Sequence, residues 1–257
     1  MRWRRRLKWV GLIAAFATAL FGALLWMVYM PPNGTSINRV RSAEGVVALT
    51  FDDGPNPPYT RDLLVVLEKH HVRATFFMTG ERVEAHPEVA LEVAEAGHEI
   101  ANHSYDASVL AFKPRAMIEQ SIRRTDDELR LALGTRFKRS PFFRAPKGRQ
   151  FLTVAGVLRR QGRIHIGASV LGNDWNSEYQ EDSSLIVDAI LGDLEAGDII
   201  ALHDGYDLRD GEYRGGTVRA VEEILTALES RGLRAVSVGD LLSSGDQGNL
   251  QEHAADR

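Results

Sequence analysis

At 257 residues and 44% hydrophobic content, the chain can bury one sizeable core, either as a single α/β barrel or as two smaller domains. It has no cysteine, which excludes disulfides, thiol catalysis and cysteine-held metals, so any metal falls to His, Asp or Glu. The net charge of -4 conceals a split: five of the 31 basic residues (Arg2, Arg4, Arg5, Arg6 and Lys8) stand in the first eight positions, leaving 26 against 35 acidic residues. An acidic body argues against nucleic acid as the ligand.

Behind the basic stub (1–8), residues 9–30 carry no charge over 22 positions, enough to span a bilayer as one transmembrane helix. The run stays bulky through Leu24, Leu25, Trp26, Met27, Val28, Tyr29 and Met30, whereas a cleaved signal would be shorter and end in small residues. This pattern predicts an uncleaved signal anchor, with the arginines in the cytoplasm and the body outside. The expected location is therefore a bacterial inner or cell membrane, with a single-pass chain and an extracytoplasmic domain. Residues 31–43, opening Pro31-Pro32-Asn33-Gly34, read as a polar linker.

The body (44–242) alternates strand and helix patterns. Val46, Val47, Ala48 and Leu49 form a continuous apolar run that opens a predicted strand (Val46–Asp52) punctuated by Gly54 and Pro55, the signature of a strand buried on both faces. Helices are predicted over 59–71, 81–96, 114–133, 151–161, 183–194 and 217–230, and strands over 74–78, 98–102, 142–143, 164–170, 199–202 and 235–238. Such a βα series implies a distorted or incomplete (β/α) barrel of seven or eight mainly parallel strands. No glycine-rich phosphate loop follows the first strand, which weakens a dinucleotide-binding alternative. Residues 243–257 read as a polar tail.

Reactive side chains recur just after the apolar part of several strands. Asp52 and Asp53 follow the first, His103 the third, Arg144 the pair Phe142-Phe143, Asp174 and Trp175 the strand from Ile164, and His203 the strand from Ile199. In a parallel barrel these positions converge on the face where catalysis is found. Asp52 and Asp53, adjacent at a strand's mouth, are expected to point different ways.

TFDDGP (50–55), NHSYDA (102–107), FRAPKG (143–148), NDW (173–175) and LHD (202–204), in that order, resemble the motif series of the polysaccharide deacetylases, the NodB-homology or carbohydrate esterase family 4 domain. The resemblance implies a divalent metal, usually zinc with Co²⁺, Ni²⁺ or Mn²⁺ as alternatives, and hydrolysis of an N-acetyl or O-acetyl group on a glycan. By the same resemblance Asp53 and His103 would be metal ligands and Asp52 the general base. Arg144 would pair with that base and keep it ionised. His203 would be the general acid, oriented by Asp174. Trp175 and Leu202 would line the acetyl slot, and a backbone N–H from the turn after Tyr105 would meet the developing oxyanion.

The chain departs from the family at Ala107, where a second metal-binding histidine is usual. Three readings stay open: Asp106, three residues after His103, supplies the missing ligand; Asp53 and His103 hold the metal with added water; or the domain is a carbohydrate-binding pseudoenzyme. Lys147 stands where an aromatic is frequent, and Leu171 where an acid is common. The expected function is metal-dependent deacetylation of an envelope glycan such as peptidoglycan or exopolysaccharide, with hydrolysis of a non-sugar amide as a further alternative. The expected partners are the glycan and, through residues 9–30, the membrane.

Overall fold

A computed structural model describes residues 16, 18–20, 22, 36–110, 113–148, 152–205 and 213–245. The basic stub, nearly all of the expected transmembrane segment and the end of the tail lie outside them. Among the described residues no helix is long and apolar enough to cross a membrane.

The frame is β2 (Val46–Asp52), buried at every residue. Alternation along it sorts the core. Val47, Leu49 and Phe51 pack outward with α1 (Tyr59–Lys69) and α8 (Gly215–Ser230), while Val46 and Ala48 point into the barrel. Phe51 stacks on Phe76 of β3 (Thr75–Met78) at 4.9 Å between ring centroids. The next even positions, Thr50 and Asp52, continue the inward row, so the apolar interior gives way to polar groups toward the strand's C-terminal end.

Around β2 the remaining strands run parallel: β3, β4 (Glu99–Asn102), β5 (Phe142–Phe143) and β6 (Ile164–Ile166) on one side, β8 (Ile199–His203) on the other. β9 (Arg234–Val236) pairs with the first half of β2, where β3 does not reach. Beyond Ile166 the chain turns at Gly167 and re-forms as β7 (Val170–Leu171), paired with β8. The predicted strand 164–170 is thus two strands, because its first part serves β5 and its second serves β8. Through that bend the sheet curls back toward itself as a distorted barrel.

Other departures have local causes. The predicted helix 81–96 is two helices, α2 (Gly80–Ala85) and α3 (Pro87–Glu95), broken at His86 (φ -137°, ψ 58°), since a residue before proline is pushed out of the helical region. α4 (Arg115–Leu133) and α5 (Leu152–Arg160) follow the prediction closely. α6 (Ser177–Glu181), capped by Asn176, precedes α7 (Ser183–Leu191), capped by Asp182. The stretch after Val238 is α9 (Val238–Ser244), whose Val238, Leu241 and Leu242 plug the barrel's N-terminal end.

The expected linker also enters the fold. β1 (Ser36–Ile37) pairs with β6, and Arg39 forms an ion pair with buried Asp198 just before β8. Asp198 accepts in addition from Ser169 Oγ at 2.6 Å and from the Glu195 N–H at 2.8 Å, so one carboxylate ties β1, β7 and β8 together. Asp198→Ala leaves these donors unmet and is expected to cost about 2 kcal/mol, read in urea as a lower unfolding midpoint with an unchanged slope.

Candidate active site

The inward row of β2 ends at the site. Asp52 lies in register beside His203 of β8, so a carboxylate and an imidazole face the barrel mouth from adjacent strands. Arg144, at the end of β5, reaches Asp52 Oδ1 at 2.6 Å and Thr50 Oγ1 at 2.7 Å through Nη1. Its Nε donates to the Ile166 carbonyl at 3.1 Å and its Nη2 to the Gly167 carbonyl at 2.9 Å. The guanidinium also stacks over Phe77, 4.1 Å from the ring centroid. Its donors are spread over four acceptors, so Asp52 is held by a cation with little freedom to leave.

His203 is fixed from behind. Its Nδ1 bonds Asp174 Oδ1 at 2.8 Å, while Asp174 Oδ2 accepts from the His203 N–H and from Thr217 Oγ1, both at 2.8 Å. Gln180 Nε2 clamps the Asp174 carbonyl at 2.6 Å. This leaves Nε2 as the ring nitrogen for the cleft. Burial disfavours the imidazolium, but the Asp174 carboxylate, with Asp53 and Asp52 behind it, pushes the His203 pKa up to about 9. Trp175 stands edge-on to the His203 ring, 5.5 Å away at 85°, and is 40% exposed, so it walls the cleft.

Asp53 sits just past the strand in the left-handed region (φ 71°) and turns toward His103, with Oδ1 3.4 Å from Nε2. Burial pushes its acidity down, but the hydrogen bond and charge of His103, aided by His203 and Lys147, hold its pKa at about 2. Two ligands on one tetrahedral zinc lie about 3.4 Å apart. This pair therefore fits two corners of a divalent-metal site. Among the described residues His103 Nδ1 is buried without a hydrogen-bond partner, so none of them supplies the outer-shell acceptor common behind metal-binding histidines.

Three expectations need correction. Among the described residues, no three His, Asp or Glu side chains gather to hold a metal, and Asp106 does not stand in for the missing histidine. The spacing argument needed a helical turn, but Ser104 is left-handed (φ 72°) and 105–108 form a bend. The Asp106 carboxylate instead accepts from Ser108 Oγ and lies 3.6 Å from Lys113 Nζ. Tyr105 is also directed elsewhere. Its ring lies under the Arg124 guanidinium at 3.6 Å, its hydroxyl donates to Glu84, and its N–H is taken by Ser121 Oγ at 2.9 Å. Leu202 is fully buried in the helix-side core, because alternation along β8 points it away from His203.

The structure adds residues to which the sequence reading gave no role. Asp204, fully buried, lays its carboxyl over Gly54, where a Cβ would come within 2.0 Å of Oδ2. Oδ2 accepts from Thr60 Oγ1 at 2.7 Å, and Thr60 Oγ1 in turn accepts the Asn56 N–H at 2.7 Å. Burial, reinforced by Asp53 and Asp52, pushes the Asp204 pKa up to about 7. Arg82 of α2, also buried, donates to the Pro55 carbonyl at 3.0 Å and to Asn56 Oδ1 at 3.1 Å. The aspartate turn is thus gripped from both sides. Asp204 was visible in LHD as the residue after His203, whereas Thr60, Arg82, Thr217 and Gln180 had no local signal.

A polar cleft at the C-terminal mouth of a curled parallel βα sheet, with an Asp–Arg pair facing a His–Asp pair beside the Asp53–His103 pair, defines the hydrolase type of site. The comparisons give the family. Residues 39–163 match the polysaccharide deacetylase family model. The chain is 34% identical over 199 residues to a chitooligosaccharide deacetylase of Sinorhizobium fredii, covering 75% of this chain and 90% of that one. It is 32% identical over 220 residues to a peptidoglycan-N-acetylglucosamine deacetylase of Bacillus cereus, covering 83% and 95%. A family 4 acetyl xylan esterase from Clostridium thermocellum, solved with a cobalt ion, superposes with a TM-score of 0.67 at 29% identity, covering 77% of this chain and 90% of that one. The chain belongs to the polysaccharide deacetylase family.

Gly54→Ala tests the grip on the turn. Its methyl would enter the volume of the Asp204 carboxyl, and overpacking of this kind costs about 3 kcal/mol, seen as a lowered Tm in calorimetry.

Proposed function

We propose that the protein hydrolyses N-acetyl groups of a cell-envelope glycan, with Asp52 as general base and His203 as general acid. The observation that carries this reading is the pairing of two separately supported groups on neighbouring strands: Asp52 locked to Arg144, and His203 locked to Asp174. One group is anchored to receive a proton and the other is charged and ready to give one, the division that amide hydrolysis requires. The names of the relatives, chitooligosaccharide and peptidoglycan deacetylases, support the choice of an N-acetylated glycan.

In this mechanism Asp52 takes a proton from the water that attacks the acetyl carbonyl. Arg144 keeps the carboxylate in line during the transfer. As the tetrahedral carbon collapses, His203 Nε2 gives its proton to the departing amine, the C–N bond breaks and acetate is left. Asp174 holds the imidazole in the tautomer and orientation this needs. Trp175 closes one wall against bulk water. Asp53 and His103 would hold a divalent cation, which would polarise the acetyl carbonyl and acidify a nearby water. Residues 9–30, as a membrane anchor, would keep the domain beside envelope substrates outside the cytoplasm.

A second reading, a carbohydrate-binding pseudoenzyme, is favoured by the one missing ligand at Ala107. Acetate release from chitooligosaccharides and from peptidoglycan by the full-length chain, supplied with Zn²⁺ or Co²⁺, separates the two. Glycan binding without acetate would establish the pseudoenzyme. For the enzyme, Asp52→Asn is expected to lower kcat about 10²-fold to 10⁴-fold.

The pH dependence follows from His203, whose pKa is raised in the fold. It is protonated below about 9 and loses its proton above, so kcat/KM is expected to fall on the alkaline side with a midpoint near 9. Asp174→Asn removes the main support and should move that limb toward the ordinary histidine value of about 6.5. Calorimetric titration with Co²⁺ tests the ligands: Asp53→Ala and His103→Ala are expected to abolish binding, while Asp106→Ala leaves the affinity within about twofold, its carboxylate lying outside the site.

A further inference from the structure

His165, in the middle of β6, is 3% exposed. A buried imidazole is costly unless both ring nitrogens find partners. Nε2 takes the Ala145 N–H at 3.1 Å, and Nδ1 meets Ser36 Oγ at 2.8 Å. A backbone N–H only donates, so Nε2 is the bare nitrogen and Nδ1 carries the proton to Ser36. The Ser36 hydroxyl in turn donates to Asn38 Oδ1 at 3.1 Å. Burial, aided by the Arg144 and His103 charges, pushes the His165 pKa down to about 3, which keeps the ring in the neutral form that accepts at Nε2. One chain of hydrogen bonds therefore runs from the end of the Arg144 strand through His165 to β1.

The Ala145 N–H belongs to the peptide that leaves Arg144, beyond the end of β5 at Phe143. Ile164 N–H bonds the Pro141 carbonyl at 2.8 Å, with Phe143 in register beside His165. Continued regularly, that parallel ladder would bring the Ala145 N–H to the Ile166 carbonyl. His165 takes the N–H instead, and the Ile166 carbonyl is left to accept Arg144 Nε at 3.1 Å. The second carbonyl on the guanidinium, that of Gly167, lies under the β1 segment: a Cβ on Gly167 would come within 1.8 Å of Asn38 Oδ1 and 3.0 Å of Ser36 Oγ. β1 pairs with β6 at these positions, Ser36 beside His165 and Ile37 beside Ile166. Both backbone acceptors that orient Arg144 are thus braced from the segment ahead of the barrel.

We propose that His165 is a positioning residue for the Arg144–Asp52 pair: its imidazole, held by Ser36, takes the Ala145 N–H and frees the Ile166 carbonyl for the guanidinium, so the segment ahead of the barrel supports the general base. This inference deepens the deacetylase reading above and rests on it.

The test uses the full-length chain and two readouts, acetate release from chitooligosaccharides with Co²⁺ supplied and solvent exchange of the Arg144 Nε–H by 15N NMR, each variant being measured below its own Tm. His165→Leu is expected to lower kcat about tenfold with KM within about twofold, because a catalytic group displaced by about 1 Å can lose about 10²-fold. His165→Gln, whose amide oxygen can accept the Ala145 N–H, should restore most of that loss. Ser36→Ala removes the acceptor from Nδ1 and should lower kcat about threefold, the size of one net hydrogen bond. In His165→Leu the Arg144 Nε–H should exchange about tenfold faster, as the Ile166 carbonyl is drawn to the Ala145 N–H. Unchanged kcat in a folded His165→Leu protein, or a loss that His165→Gln leaves unrepaired, would overturn the proposal. Should His165→Leu fail to fold, Ser36→Ala carries the same comparison. If the wild type releases no acetate, the deacetylase reading fails and the exchange rate decides: faster exchange in His165→Leu or Ser36→Ala upholds the positioning role, and equal rates overturn it.

Discussion

A guanidinium can be buried inside a barrel only if its donors find acceptors and its charge finds a counter-ion, since the desolvation of each ion costs several kcal/mol. Arg144 meets both conditions by reaching the Asp52 carboxylate, the Thr50 hydroxyl and two consecutive carbonyls where β6 bends. That requirement shapes its surroundings. It needs the inward row of β2 to turn polar at Thr50, it needs β5 to end beside β2's level, and it needs the chain after Ile166 to break away and present its carbonyls. The bend at Gly167 then lets β7 reach β8, which is how the sheet curls.

The acid side of the cleft obeys the same rule with different parts. Asp174 is fully buried, and its charge is accommodated by His203, by the His203 N–H and by Thr217. The imidazole therefore has one nitrogen committed and one facing outward, and its elevated pKa follows from three carboxylates acting on a group that burial alone would neutralise. Asp204 shows the converse. Thr60 and its own backbone N–H donate to it, but with two anionic neighbours burial still moves it up to about 7, and its role is to pack a flat carboxyl over a glycine that no larger residue could replace.

The Asp53–His103 corner is where the chain departs from the motif it resembles. Asp53 and His103 hold the spacing of two ligands, Ala107 supplies none, and the neighbouring aspartate belongs to a surface cluster. The Lys147 charge acts on Asp53 from the turn that follows Arg144.

Residue order alone went far. The apolar run into Asp52, the helix periods of α1, α4 and α8, and the recurrence of reactive residues after strands determined a parallel βα barrel with Asp52, Asp53, His103, Arg144, Asp174 and His203 at one end, because strand and helix periods are local properties and strand ends share a face in parallel sheets. The directions of side chains around bends were not legible. Asp106 was misplaced because spacing was converted into position through a helix that Ser104 prevents, and Leu202 because its neighbour in the motif, His203, points to the other face of the strand. Contacts between residues far apart in sequence, such as Thr60 with Asp204 or Thr217 with Asp174, leave no local pattern at all. Only the packed fold could decide which buried charge meets which partner.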